Sequence, residues 1–123
     1  MKLPEGYQTV MPYLLLNDPN GFINFAVKVF KATIKENHLD ENGKTVHGEV
    51  VIGGSCIMLG PAGDRFPQQN TGLFVYVESA DEVYKIALSH GASSIMELSN
   101  QAYGRTCGVL DPFGNTWWIT SLP

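Results

Sequence analysis

The chain is poor in several features, and each shortage excludes a class of protein. Lys and Arg number eight against twelve Asp and Glu, for a formal net charge of -4. The basic stripe expected of a nucleic-acid-binding protein is therefore missing, and no nucleic-acid partner is expected. The mildly acidic balance is compatible with a cationic ligand without demanding one. No apolar run approaches the roughly 20 residues that cross a bilayer, so no membrane association is expected. The start, Met1-Lys2-Leu3-Pro4-Glu5-Gly6, has no apolar stretch of signal-peptide type. The only cysteines, Cys56 and Cys107, lie in apolar, strand-like runs at a spacing that matches no metal or redox motif. They are expected to be buried reduced thiols of a cytoplasmic protein rather than a disulfide or a metal pair. No P-loop, dinucleotide fingerprint or nucleophile motif occurs, and no cofactor is expected.

What is present is a pattern that occurs twice. Pro12-Tyr13-Leu14-Leu15-Leu16-Asn17-Asp18 is a short apolar run closed by an acidic turn and followed by a helical pattern. Leu73-Phe74-Val75-Tyr76-Val77-Glu78-Ser79 repeats it in the second half. Two copies at so long a period do not make a solenoid. They point to two supersecondary modules, 8–59 and 72–120, within one domain of residues 1–123. That length suffices for a core without disulfide or metal staples.

Residues 8–16 read as a first strand. Asp18 is an N-cap with Pro19 at the first helical position. Phe22, Phe25, Ala26, Val29 and Phe30 then form one apolar helical face. Strands are expected at 32–38, 46–52 and 55–59, with Asn42-Gly43 a hairpin signal and Gly53-Gly54 a turn. Residues 60–71, rich in Pro, Gly and amides, read as a linker. In the second module a strand at 72–77 precedes Ser79, which has capping-box spacing to Glu82. Val83, Ile86, Ala87 and His90 share a helical face, and Gly91 suits the position past its end. Strands at 94–98, 105–110 and 115–120 follow, the last two separated by the turn Asp111-Pro112-Phe113-Gly114. The fold class is α+β: paired β-α-β-β-β modules whose curved sheets surround a cleft. Several strands are apolar at consecutive positions, Ile57-Met58 and Trp117-Trp118 among them. That is the pattern of sheets with helices on one face and a cavity on the other. Eight short strands leave edges and apolar faces uncovered, so a homodimer is expected.

These residues resemble the vicinal oxygen chelate superfamily, which includes glyoxalase I, extradiol dioxygenases and bleomycin- and fosfomycin-resistance proteins. The closest likeness is to its PhnB-like glyoxalase/bleomycin-resistance branch. The residues that carry it run from Val46-His47-Gly48-Glu49 through Gly53-Gly54 to Ile57-Met58-Leu59. Tyr76-Val77-Glu78-Ser79-Ala80-Asp81, Arg105 and Gly108-Val109-Leu110-Asp111-Pro112-Phe113-Gly114-Asn115-Thr116-Trp117 complete it. The fold hosts unrelated chemistries, so the likeness implies the fold more strongly than a function.

Metal-using members of the superfamily carry His, Glu or Gln at one position on the first and last strand of each module. The resemblance puts those positions near Met11, Met58, Gly72 and Ile119, none of which can hold a hard divalent cation. No metal ligand is therefore assigned. His47 and Glu49 sit two apart on one strand and point to one face. They are either a polar pair reaching into the cavity or a hydrogen-bonded His at a sheet rim beside a solvated Glu. Arg105 is either a clamp for an anionic ligand or a partner of Asp111 or another carboxylate across the sheet. Tyr103-Gly104 lacks the Asp frequent after this pair in the branch, and Asn115 replaces a common His, which removes an acid-base group there. Tyr13, Phe74, Tyr76, Tyr103, Trp117 and Trp118 form an aromatic supply, mostly core, able to stack planar or cationic ligands where it faces a cavity.

The expected ligand-binding residues are His47, Glu49, Tyr103, Arg105 and Trp117, around one cavity. The expected function is metal-independent binding of a small organic molecule, including sequestration of an antibiotic-like ligand. The alternative is a divalent-metal-dependent lyase or dioxygenase-like enzyme with atypical ligands such as His47 and Glu49. The residues leave open whether any reaction is catalysed.

Overall fold

A computed structural model describes residues 1–123. The chain divides into two compact units, Met1–Asn70 and Thr71–Pro123.

The first unit contains β1 (Tyr13–Leu16), α1 (Pro19–Phe30), β2 (Thr33–Leu39), β3 (Thr45–Ile52) and β4 (Ser55–Pro61). Its sheet has the order β1-β4-β3-β2, with β1 parallel to β4 and the other pairs antiparallel. The helix starts where the sequence says it should. The Asp18 carboxylate accepts the Gly21 N–H at 3.0 Å and Pro19 fills the first turn. Phe22, Phe25, Ala26, Val29 and Phe30 are all buried. Each large apolar side chain so buried contributes on the order of 1.5–3 kcal/mol. Gly48 on β3 lies under this helix, because a Cβ there would stand 3.0 Å from Ile23 Cδ1. Side chains alternate along a strand. Gly48 and Val50 therefore face α1, while His47 and Glu49 face the other way.

The second unit repeats this plan with β5 (Gly72–Tyr76), α2 (Ala80–Ser89), β6 (Ser93–Gln101), β7 (Gly104–Leu110) and β8 (Thr116–Ser121). Its strand order, β5-β8-β7-β6, is the counterpart of the first, and again only the β5–β8 pair is parallel. Ser79 caps α2 by accepting the Glu82 N–H at 3.2 Å. Gly91 follows the helix with φ +94°, a conformation that a side chain disfavours. The helix seats on its sheet through Ala80 and Ala87, and Ile86 and Leu88 flank the contact, more than a third exposed. Of the face expected from periodicity, only Ala87 is buried; Val83 is half-buried, and Ile86 and His90 are exposed. Two small residues decide how narrow the buried strip is.

Some boundaries differ from the sequence reading. The first strand begins at Tyr13 rather than at residue 8. Residues 8–12 are instead held from the side: the Gln8 amide donates to the Cys56 carbonyl, and the Pro12 carbonyl accepts the Met58 N–H. Gly60 and Pro61, read as the start of a linker, belong to β4. Their Gly-Pro signal is a local one, and parallel pairing of Leu15 with Gly60 overrides it. The turns at Gly53-Gly54 and at 111–114 stand where expected. Cys56 and Cys107 are both buried and free.

Candidate functional site

The helix-free face of the first unit carries a chain of four polar side chains. Glu49 on β3 is the centre. Only 4% of it is exposed. An ionised carboxylate out of water costs several kcal/mol unless hydrogen bonds replace its hydration. Two partners do so: Tyr7 Oη donates to Oε1 at 2.5 Å, and His47 Nε2 lies 2.7 Å from Oε2. Burial pushes the Glu49 carboxyl up, but the bonds from Tyr7 and His47 outweigh it and hold the group below the usual carboxylate range. The bond to Glu49, with burial and the carboxylate's charge, pushes the Tyr7 phenol up to about 12. Tyr7 is thus a donor throughout the physiological range.

The chain continues past His47. Its Nδ1 lies 3.1 Å from Tyr13 Oη. Tyr13 is on β1, two strands from β3, so its ring must pass over β4. Gly60 occupies β4 at the crossing and leaves room for the phenol. On the adjacent edge strand a second pair repeats the motif: Glu36 and His38 oppose Glu49 and His47, and His38 Nε2 lies 3.0 Å from Glu36 Oε2. A register irregularity between Ile34 and Glu36 accompanies Lys35 Nζ over the Tyr7 ring, 4.9 Å from its centroid.

The second unit places its sequence-selected residues differently. Arg105 on β7 faces α2 and binds Asp81 bidentately, at 2.5 and 3.2 Å, and also donates to Asn100 at 3.1 Å. Of its two readings, the structure shows the carboxylate partner, and the partner is Asp81 rather than Asp111. The bond from Arg105 holds Asp81 below its ordinary range. Trp117 is 1% exposed, and its indole N–H donates to Asp111 at 2.8 Å. Tyr103 is half exposed, with its ring centroid 6.4 Å from that of Phe74. Phe74 and Tyr76 are also exposed and meet edge to face at 5.2 Å.

Sequence reasoning selected His47 and Glu49 and placed them on one face. It missed Tyr7, which lies outside any strand, and counted Tyr13 only among the aromatic supply. An alternation rule could have put Tyr13 opposite Leu14, but not over β4.

The donor set does not fit a divalent metal of the kind metal-using relatives hold. Tyr13 and Phe74 stand at equal distances before their N-caps, Asp18 and Ser79, and pair with Met58 and Trp118. Trp118, rather than Ile119, is thus the counterpart of Met58, and neither side chain supplies a hard ligand. No three His, Cys, Asp or Glu side chains gather so that they could hold a metal ion.

Residues 8–119 match the Glyoxalase/Bleomycin resistance protein/Dioxygenase superfamily. An uncharacterized protein of Mycobacterium bovis, Mb0911c, is 30% identical over 121 residues, which cover 86% of this chain and 78% of that protein. Among solved structures, TioX from Micromonospora sp. ML1 superposes with a TM-score of 0.75 at 21% identity, over 94% of this chain and 97% of its own. TnmS3, an antibiotic binding protein from Streptomyces sp. CB03234, superposes with a TM-score of 0.71 at 15% identity, over 95% of this chain and all of its own (100%). These likenesses show a shared fold, of the α+β glyoxalase/bleomycin-resistance type.

Proposed function

Because the chain belongs to the Glyoxalase/Bleomycin resistance protein/Dioxygenase superfamily, we propose that it binds a small organic molecule without a metal, as a sequestering protein for an antibiotic-like ligand. The donor set carries this reading. Met58 and Trp118 stand at the strand positions where metal-using relatives are expected to hold their ligands, and neither can serve. His47 and Glu49, the atypical ligands of the enzymatic alternative, are already bonded to each other and to the two tyrosines. The fold shared with an antibiotic binding protein is consistent with sequestration.

The proposal keeps the five side chains selected from the sequence, in unequal roles. On the helix-free face of the first unit, buried Glu49 fixes His47, and His47 meets half-exposed Tyr13. Tyr103, beside exposed Phe74 and Tyr76, supplies aromatic contact. Arg105 and Trp117 direct their N–H groups at Asp81 and Asp111, so their part is to hold the strands that carry the ligand-facing groups. His47, Arg105 and the 111–114 turn support a likeness to the PhnB-like branch. The two modules, 8–59 and 72–120, are proposed to form one domain. A homodimer and a cytoplasmic location complete the reading. The first is supported by exposed Ile34, Val46, Phe74 and Ile95, the second by two free buried thiols. No helix is long and apolar enough to cross a membrane.

Elemental analysis of protein purified without chelator is the primary test. The expected result is no stoichiometric zinc, nickel, manganese or iron, together with a raised melting temperature in the presence of planar cationic compounds. Stoichiometric metal would transfer the case to a lyase or dioxygenase-like enzyme. Light scattering that shows a monomer at micromolar concentration would remove the dimer.

A further inference from the structure

The hydrogen-bond chain from Tyr7 to Tyr13 has a direction, and that direction selects a class of ligand. It can be followed donor by donor. Tyr7 donates to Glu49 Oε1. Glu49, held ionised at neutral pH, only accepts, so His47 must donate its Nε2–H to Oε2. A neutral imidazole with its proton on Nε2 has a bare lone pair on Nδ1. The group facing that lone pair, 3.1 Å away, is Tyr13 Oη. With His47 in its neutral form, Tyr13 donates its only hydroxyl proton inward. What remains outward is oxygen lone pairs, on a residue that is 49% exposed. A hydroxyl whose proton is already donated is a stronger acceptor, since hydrogen bonds in a chain polarise one another.

We propose that Tyr13 Oη is a ligand-contacting group and that the site it forms takes hydrogen-bond donors. An ammonium, an amide N–H or a hydroxyl of a small organic molecule fits it. A ligand that offers only an ether or ester oxygen meets lone pair with lone pair. The proposal deepens the small-molecule reading and rests on it. Two features support Tyr13 in this role. Gly60 leaves space over β4 in which the phenol is seated, and the Tyr13 and His47 rings lie 5.7 Å apart at 35°, a defined mutual orientation. His47, Glu49 and Tyr7 are positioning residues. They act on the ligand through Tyr13.

Two measurements test this. The first needs no ligand. Side-chain nitrogen NMR at pH 8, above the ordinary imidazole range, is expected to show His47 as the Nε2–H tautomer. An Nδ1–H tautomer overturns the proposal, because Tyr13 would then receive a proton and keep its own for the ligand. The second uses phenol and anisole, two rings of similar shape of which only phenol can donate. Phenol is expected to perturb the Tyr13 and His47 signals with an affinity about five-fold above anisole, the ratio that one net hydrogen bond of about 1 kcal/mol gives. The preference is expected to vanish in Tyr13→Phe, a half-exposed position where the amide spectrum verifies the fold. Equal binding of the two probes, a preference that survives Tyr13→Phe, or no perturbation at the solubility limit of either probe overturns the proposal. The outcomes separate from those of the preceding reading. Bound metal would sink metal independence and leave the tautomer as expected, whereas the wrong tautomer would sink this proposal alone.

Discussion

A Cβ on Gly60 would lie 3.2 Å from Tyr13 Oη, closer than a side chain tolerates without a shift. Gly60 is outside the left-handed region, so its role is space rather than backbone freedom. Gly60→Ala is expected to fold and to push the phenol off His47. Loss of that hydrogen bond should lower stability by about 1 kcal/mol. The His47 Nδ1 resonance should move with it. A variant with wild-type His47 shifts would show that Tyr13 does not need the gap.

Glu49 links stability to pH. Its carboxyl is held below the ordinary value of 4.5 in the folded chain. A depressed carboxylate adds stability above its unfolded value and loses it as pH falls through the folded value. Glu49→Gln is therefore expected to cost about 1–3 kcal/mol at pH 7, the range for disrupting a buried hydrogen-bonded group. The difference from wild type should shrink as pH drops below 4.5. Urea unfolding at neutral and acid pH measures both ends. A difference that stays constant with pH would contradict the assigned bonds from Tyr7 and His47.

Asp111 organises the turn before the last strand. Its carboxylate accepts from the backbone N–H groups of Phe113 and Asn115, from the Asn115 amide and from the Trp117 indole. Asp111→Ala leaves all four donors without this acceptor, three of them on buried Asn115 and Trp117. A loss of about 3 kcal/mol or more is expected, since unsatisfied buried donors carry their full desolvation cost. Trp117 fluorescence should shift as its indole loses the partner. An unchanged melting curve would mean that water replaces the carboxylate.

The thiols supply a test of the core. Burial raises both, and Cys107 reaches about 11. A thiol-specific reagent at pH 8 should leave native protein unmodified and label both cysteines only after denaturation. Rapid labelling of either one in native protein would place it at the surface.

The physical reach of each signal explains which parts of this protein were legible in its sequence. The N-caps Asp18 and Ser79, the apolar face from Phe22 to Phe30, the turns at 53–54 and 111–114 and the doubled module order are local. Capping, φ preference and the 3.6- and 2-residue periods act within a few positions and can be read there. The pairing of His47 with Glu49 was legible for the same reason, since alternation alone puts them on one face. The contacts that give the site its character are not local. Tyr7 reaches Glu49 across 42 positions, Tyr13 reaches His47 across 34, and Arg105 reaches Asp81 across 24. Each depends on strand order and register, which are settled by the packing of whole sheets against α1 and α2. Gly60 shows the limit most clearly. Next to Pro61 it reads as a break in the chain, and only the arrangement of β1, β4 and β3 turns it into the space through which Tyr13 meets His47.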